Sequence, residues 1–138
     1  MWPPDEQQAR ALLDERNLLG VLGTTRKDGS SLLAPMWFRF DGGRVFIWTA
    51  HDRLWVKCIT RDPRVSFSVH SYASPWPAVV IRGHAEVTAF TPAEVDAEIL
   101  RISRRYLEPD KIDDYIAGYQ DLRTIVTIEP TKVSYATG

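Results

Sequence analysis

Ser31-Leu32-Leu33-Ala34-Pro35-Met36-Trp37-Phe38-Arg39-Phe40-Asp41-Gly42-Gly43-Arg44-Val45-Phe46-Ile47-Trp48-Thr49 reads as two strands and the turn between them. In extended chain Leu32, Ala34, Met36, Phe38 and Phe40 share one face, and Leu33, Pro35, Trp37 and Arg39 share the other. Pro35 has no N–H to give to a ladder, so an edge, a bulge or an interrupted pairing is expected there. Asp41-Gly42-Gly43 is turn chemistry, and it leads into a strand over Arg44 to Thr49.

Working upstream, Leu18 to Thr25 reads as a strand, and Arg26-Lys27-Asp28-Gly29 as a turn in which Gly29 takes a positive φ. Three strands joined by short turns predict an antiparallel meander. Asp5 to Glu15 reads as an amphipathic helix, capped by Asp5 and apolar at Ala9, Leu12 and Leu13. Downstream, a helix is expected to stop near Asp62-Pro63, because the residue before a proline avoids helical angles. Arg64 to Ser71 alternates as a fourth strand, Tyr72 to Pro77 is a proline-rich loop, and Ala78 to Phe90 is a fifth strand with a bulge or bend at Gly83. Thr91-Pro92-Ala93-Glu94 has the form of a capping box opening a helix that reaches about Tyr106. A short helix over Ile112 to Tyr119 and a last strand over Arg123 to Tyr135 complete the chain. Six strands with helices between them predict a mainly β fold: a small antiparallel barrel, whose closure removes exposed edges.

The chain's 138 residues suit a single domain over residues 1–138. A formal net charge of -1 offers no general attraction to nucleic acid or to an anionic membrane, so neither is expected as a partner. The three histidines, His51, His70 and His84, are far apart in sequence and Cys58 is the sole cysteine, so no metal site is expected. Met1-Trp2-Pro3-Pro4 lacks the pattern of a signal peptide and no apolar run is long enough to cross a bilayer; a cytoplasmic location is the expectation.

Thr49 to Cys58 follows the aromatic strand directly and carries Arg53 and Lys57 four residues apart. In a helix the two share a face, near an amino end that already favours anions. That pattern reads as a phosphate grip beside a sheet. The same spacing also suits a solvated basic pair.

In order, Leu22-Gly23-Thr24-Thr25-Arg26-Lys27-Asp28-Gly29, Ala34-Pro35-Met36-Trp37-Phe38, Asp41-Gly42, Thr49 through Arg53, Arg61-Asp62-Pro63-Arg64-Val65-Ser66 and Val80 through Val87 resemble the FMN-binding split-barrel proteins, the superfamily of pyridoxamine 5′-phosphate oxidase. More narrowly they resemble its F420-dependent flavin/deazaflavin branch. The resemblance implies a six-stranded split barrel that dimerises with itself and holds its cofactor, F420 or FMN, in a groove between subunits. It implies backbone at Pro35, Met36 and Trp37 beside the tricyclic ring, and Thr49, Ala50 and Arg53 at the ribityl chain and phosphate. Trp76 and Pro77 would close the groove from the partner subunit. Two positions depart from the pattern. Trp55 stands where relatives often carry Lys, and would stack on the ring or occlude the site. Lys57 supplies the nearby positive charge, and Cys58 replaces an Asn that often follows it.

No proton donor is singled out: His70, Tyr72 and His84 are candidates, with His84 on a solvated strand face beside Arg82 and Glu86. Cys58 reads as a packed apolar group. Arg101, Arg104, Arg105 and Lys111 read as a solvated helix face, or as a site for the anionic oligoglutamate tail of F420. The leading expectation is an oxidoreductase passing hydride between a cofactor, F420 before FMN, and a small organic substrate. The alternatives are a non-catalytic carrier of F420, FMN or haem, and a packing-only dimer whose site Trp55 fills.

Overall fold

The computed structural model describes residues 1–118 and 123–138. In chain order these form α1 (Glu6–Asp14), β1 (Gly20–Thr25), β2 (Ser31–Met36), β3 (Arg39–Asp41), β4 (Arg44–Ala50), α2 (Leu54–Arg61), β5 (Arg64–His70), β6 (Ala78–Val87), α3 (Pro92–Ser103), α4 (Pro109–Ala117) and β7 (Arg123–Ala136). The strands make one antiparallel sheet in the order β2-β1-β5-β6-β7-β4-β3.

The two edges of that sheet, β2 and β3, are neighbours in sequence, separated by Trp37 and Phe38 alone. Met36 and Arg39 are three residues apart, so their Cα atoms lie within roughly 11 Å of each other. Opposite edges of a seven-stranded sheet approach this closely only if the sheet curls onto itself. The result is a split barrel, with a crossover of two residues bridging the split.

The barrel has seven strands among the described residues, against the six expected, because the segment Ser31–Phe40 is two strands rather than one. Pro35 cannot donate, and the Phe38 N–H leaves the ladder for the Tyr106 hydroxyl at 3.2 Å. The expected meander is opened at the same point: β2 pairs with β1 on one side of the split, and β3 pairs with β4 on the other.

Most local expectations hold in shortened form. The β5 alternation buries Val65, Phe67 and Val69 and leaves Arg64, Ser66 and His70 exposed. The capping box is complete: Thr91 Oγ1 accepts from the Glu94 amide at 3.2 Å and Glu94 Oε1 accepts from the Thr91 amide at 3.1 Å. The register shift falls opposite Gly83, but the extra residue belongs to β7 and is Thr131. Gly83 itself is required by close approach, since a Cβ there would collide with the Glu129 carbonyl oxygen. Asp5 precedes α1 without making the expected side-chain cap. α3 stops at Ser103, short of Tyr106, and of the helix expected to Tyr119 the last residue lies outside the described residues.

Two apolar layers result. Inside the curl, α1 plugs the barrel with Ala9, Leu12 and Leu13 against Leu22, Phe38, Ile47, Phe67, Ile81 and Ile128. Phe38 and Phe67 meet edge-on with centroids 5.2 Å apart; burying each ring stabilises the fold by about 1.5–3 kcal/mol. On the outside, α3 packs on β4 and β7 through buried Ile99 and Ile102. No helix among the described residues is long and apolar enough to cross a membrane.

Candidate functional site

A cleft of about 480 Å³ opens where the crossover, the end of β4 and the start of α2 converge. This is within the roughly 300–1,000 Å³ span of small-molecule sites. Pro35, Met36 and Trp37 come from the crossover side, Thr49 and Ala50 from the end of β4, and Arg53 and Trp55 from the approach to α2. Ile47, Ala34 and Leu19 supply apolar surface, and Trp48 and Tyr115 supply aromatic surface.

Arg53 is not the first helical residue. It is the N-cap of α2, in extended conformation (φ -65°, ψ 144°), and no side chain caps the helix. Its carbonyl accepts from the amides of Val56 at 3.1 Å and Lys57 at 3.3 Å. The guanidinium therefore leaves the chain beside the amide donors that open the helix, where an anion is favoured. Lys57 lies one turn in, is exposed, and does not line the cleft, so the expected pair is divided: Arg53 faces the cleft and Lys57 does not. Trp55 is 8% exposed and belongs to the barrel core. It forms part of the cleft wall, and the cleft beside it is open.

Trp37 is held between two tyrosines. Tyr106 lies parallel to it, with centroids 4.8 Å apart and 4° between planes; Tyr115, from α4, lies at 4.9 Å and 32°. Tyr115 also meets Trp48 edge-on at 6.0 Å. Trp37 thus packs against both tyrosines, and it lines the cleft together with Tyr115 of α4. Neither tyrosine stands out in the sequence, because their packing on Trp37 joins residues dozens of positions apart.

Beneath this wall, Arg39 donates to both carboxylate oxygens of Glu98 at 2.7 Å and reaches Asp41 at 3.1 Å. The Glu98 carboxylate raises the Arg39 pKa further above its ordinary value, against the opposing effect of burial. Arg39 also packs over the Phe46 ring at 4.9 Å. The ion pair joins α3 to the edge strand β3.

The remaining candidates lie elsewhere. Trp76 is 55% exposed in the β5–β6 loop, with Pro77 beside it, and neither lines the cleft. His70 and Tyr72 pack edge-on at 5.2 Å near that loop, and His84 is exposed on β6; none of the three lines the cleft. Cys58 is buried. Arg105 departs from its expected place on a solvated face: its guanidinium donates to the carbonyls of Leu13, Asp14 and Glu15 at the end of α1.

The cleft suits a phosphorylated planar ring. Among the described lining residues Arg53 is the one charged side chain, Thr49 and Tyr115 carry hydroxyls, Arg53 opens an uncapped helix, and there is no carboxylate. The rest of the wall is apolar and aromatic, as a flat conjugated ring requires.

Similarity to known proteins agrees with this architecture. An F420 reductase of known structure is 28% identical, covers 91% of this chain and 94% of its own, and superposes with a TM-score of 0.70. The conserved hypothetical protein Rv2991 of Mycobacterium tuberculosis (22% identity, 98% and 85% coverage, TM-score 0.78) shares the fold. So does an FAD-binding protein of Mesorhizobium loti (16% identity, 96% and 94% coverage, TM-score 0.69). The pyridoxamine 5′-phosphate oxidase family model matches residues 5–136. With nearly its whole length matched and a split-barrel fold, the chain belongs to the pyridoxamine 5′-phosphate oxidase family, within the flavin-binding split-barrel superfamily.

Proposed function

We propose that this protein is a cytoplasmic, homodimeric oxidoreductase that uses a flavin-type cofactor, F420 in preference to FMN, to act on a small organic substrate. The observation that carries the reading is the gathering of Pro35, Met36, Trp37, Thr49, Ala50 and Arg53 around one apolar cleft with a single positive end. The similarity to an F420 reductase supports F420 over FMN.

In this reading the Arg53 guanidinium and the opening amides of α2 neutralise the cofactor's phosphate. Thr49 hydrogen-bonds the polar chain that follows it, and the backbone at Pro35 and Met36 meets the ring. The apolar wall excludes water from the reacting face. When bound, the cofactor supplies hydride transfer between its ring and the substrate; the protein supplies binding and orientation. The exposed Trp76, with Pro77 beside it, covers the partner's cleft in the dimer, which gives a large apolar group in a loop a reason to be there.

Two measurements test the reading. Sedimentation gives a species of twice 15.7 kDa if the site is shared between subunits. Reduced F420 mixed anaerobically with the protein and a panel of conjugated organic acceptors regains its oxidised absorbance. A monomer, or no acceptor-dependent oxidation with any acceptor, counts against the proposal.

A further inference from the structure

Tyr106 does not line the cleft, yet its hydroxyl sits at the point where the barrel is split. The hydroxyl donates to the Leu18 carbonyl at 2.8 Å and accepts the Phe38 N–H at 3.2 Å. Leu18 lies just before β1 and Phe38 lies between the two edge strands, so one side chain ties both sides of the opening. Its ring lies flat on Trp37, the other crossover residue. The place of Tyr106 is set independently of the crossover: the adjacent Arg105 is anchored on three carbonyls at the end of α1, and the Arg105 carbonyl accepts from the Asn17 amide at 3.3 Å. Phe38 is fully buried, and an amide left unpaired there would carry its whole desolvation penalty. Burial raises the phenol pKa above its ordinary value, so the hydroxyl stays protonated at neutral pH and keeps its donor.

The geometry points to Tyr106 as a positioning residue of the cleft: its hydroxyl latches the crossover, and through it sets Trp37 against the end of β2 and in register with Arg53. The role rests on the cofactor reading above. Were the latch lost, Trp37 and Phe38 would be released, and Trp37 would shift away from the anion end of the cleft while the β1 ladder still held Pro35 and Met36.

Tyr106→Phe keeps the ring and removes the hydroxyl. The variant and the wild type are titrated with F420, and amide hydrogen exchange is followed at Phe38. The latch predicts faster exchange at Phe38 and a Kd for F420 raised about tenfold, the size expected for loss of a buried hydrogen bond with displacement of its neighbours. Val133→Ala, a truncation in the barrel core on β7 at a residue that does not line the cleft, controls for general loosening: it lowers Tm and leaves Kd within about twofold. Unchanged exchange at Phe38, an unchanged Kd in Tyr106→Phe, or an equal loss of affinity in Val133→Ala overturns the assignment. If the wild type binds neither F420 nor FMN, the cofactor reading and the ligand half of this role fall together. The exchange rate at Phe38 then decides the latch by itself.

Discussion

Replacing Arg39 by leucine leaves the Glu98 carboxylate inside the protein without its partner. The Glu98 side chain is 2% exposed and takes two 2.7 Å bonds from Arg39, whose own side chain is 18% exposed. Removing one member of a buried pair costs roughly 3–5 kcal/mol. Two features place this case at the lower end: Arg39 already touches solvent, and Arg101 stands 3.9 Å from the same carboxylate. The expected loss is about 3 kcal/mol, which lowers Tm by about 12 °C in a domain of this size. Urea unfolding measures it as a reduced midpoint at unchanged slope. The double variant Arg39→Leu/Glu98→Leu removes the stranded charge and is expected to recover most of the loss. A loss under about 1 kcal/mol, or a double variant no more stable than Arg39→Leu alone, would show that α3 is not held on β3 by this pair.

Arg53→Ala is expected to weaken F420 binding by about 1.5–3 kcal/mol, the size of a charge-assisted contact, while Lys57→Ala stays within about threefold of wild type; isothermal titration separates them. Thr91→Ala removes the capping box and is expected to cost about 1 kcal/mol by thermal unfolding, with cofactor affinity unchanged. Asp62 accepts two bonds from the Arg64 guanidinium, which with the Arg64 amide draws its pKa down to about 2. Its folded pKa lies below the ordinary 3.8, so its contribution is fully present above about pH 4 and is lost as the pH falls toward 2. Carboxyl NMR titration is expected to find that midpoint, and to find it raised toward 3.8 in Arg64→Ala, where the residue-64 amide and Arg61 still hold it down in part.

Features governed by neighbours in the chain were legible in the sequence. The Thr91–Glu94 box, the β5 alternation and the end of α2 before Pro63 depend on residues within a few positions of one another. Pro35 marked an edge strand, which β2 is, but not that the chain would cross to the opposite edge of the sheet after Met36. That choice depends on the Phe38 amide finding Tyr106, 68 residues away, and on Arg39 finding Glu98, 59 residues away. Alternation placed Arg39 on the face opposite Phe38 and Phe40 without revealing that a buried acid waits there. Arg105 looked solvated because its partners are carbonyls, which every residue carries and no composition reveals. At the site, Arg53 was read from helix spacing, while Pro35, Met36, Trp37, Thr49 and Ala50 were implied by family resemblance alone, and the fold brings them to one cleft. Lys57, read from the same spacing as Arg53, is exposed on α2 and does not line the cleft. Trp55 was read as a candidate plug, whereas the barrel core takes most of its indole.

The central claim is that a positive helix opening beside an apolar crossover makes a seat for a phosphorylated redox ring. Titrating the purified protein with F420 and, separately, with FMN, and following ring fluorescence, tests it most directly. Saturable binding of both is predicted, tighter for F420 and weakened by Arg53→Ala. Fluorescence that stays flat with both cofactors, or affinities untouched by Arg53→Ala, would contradict it.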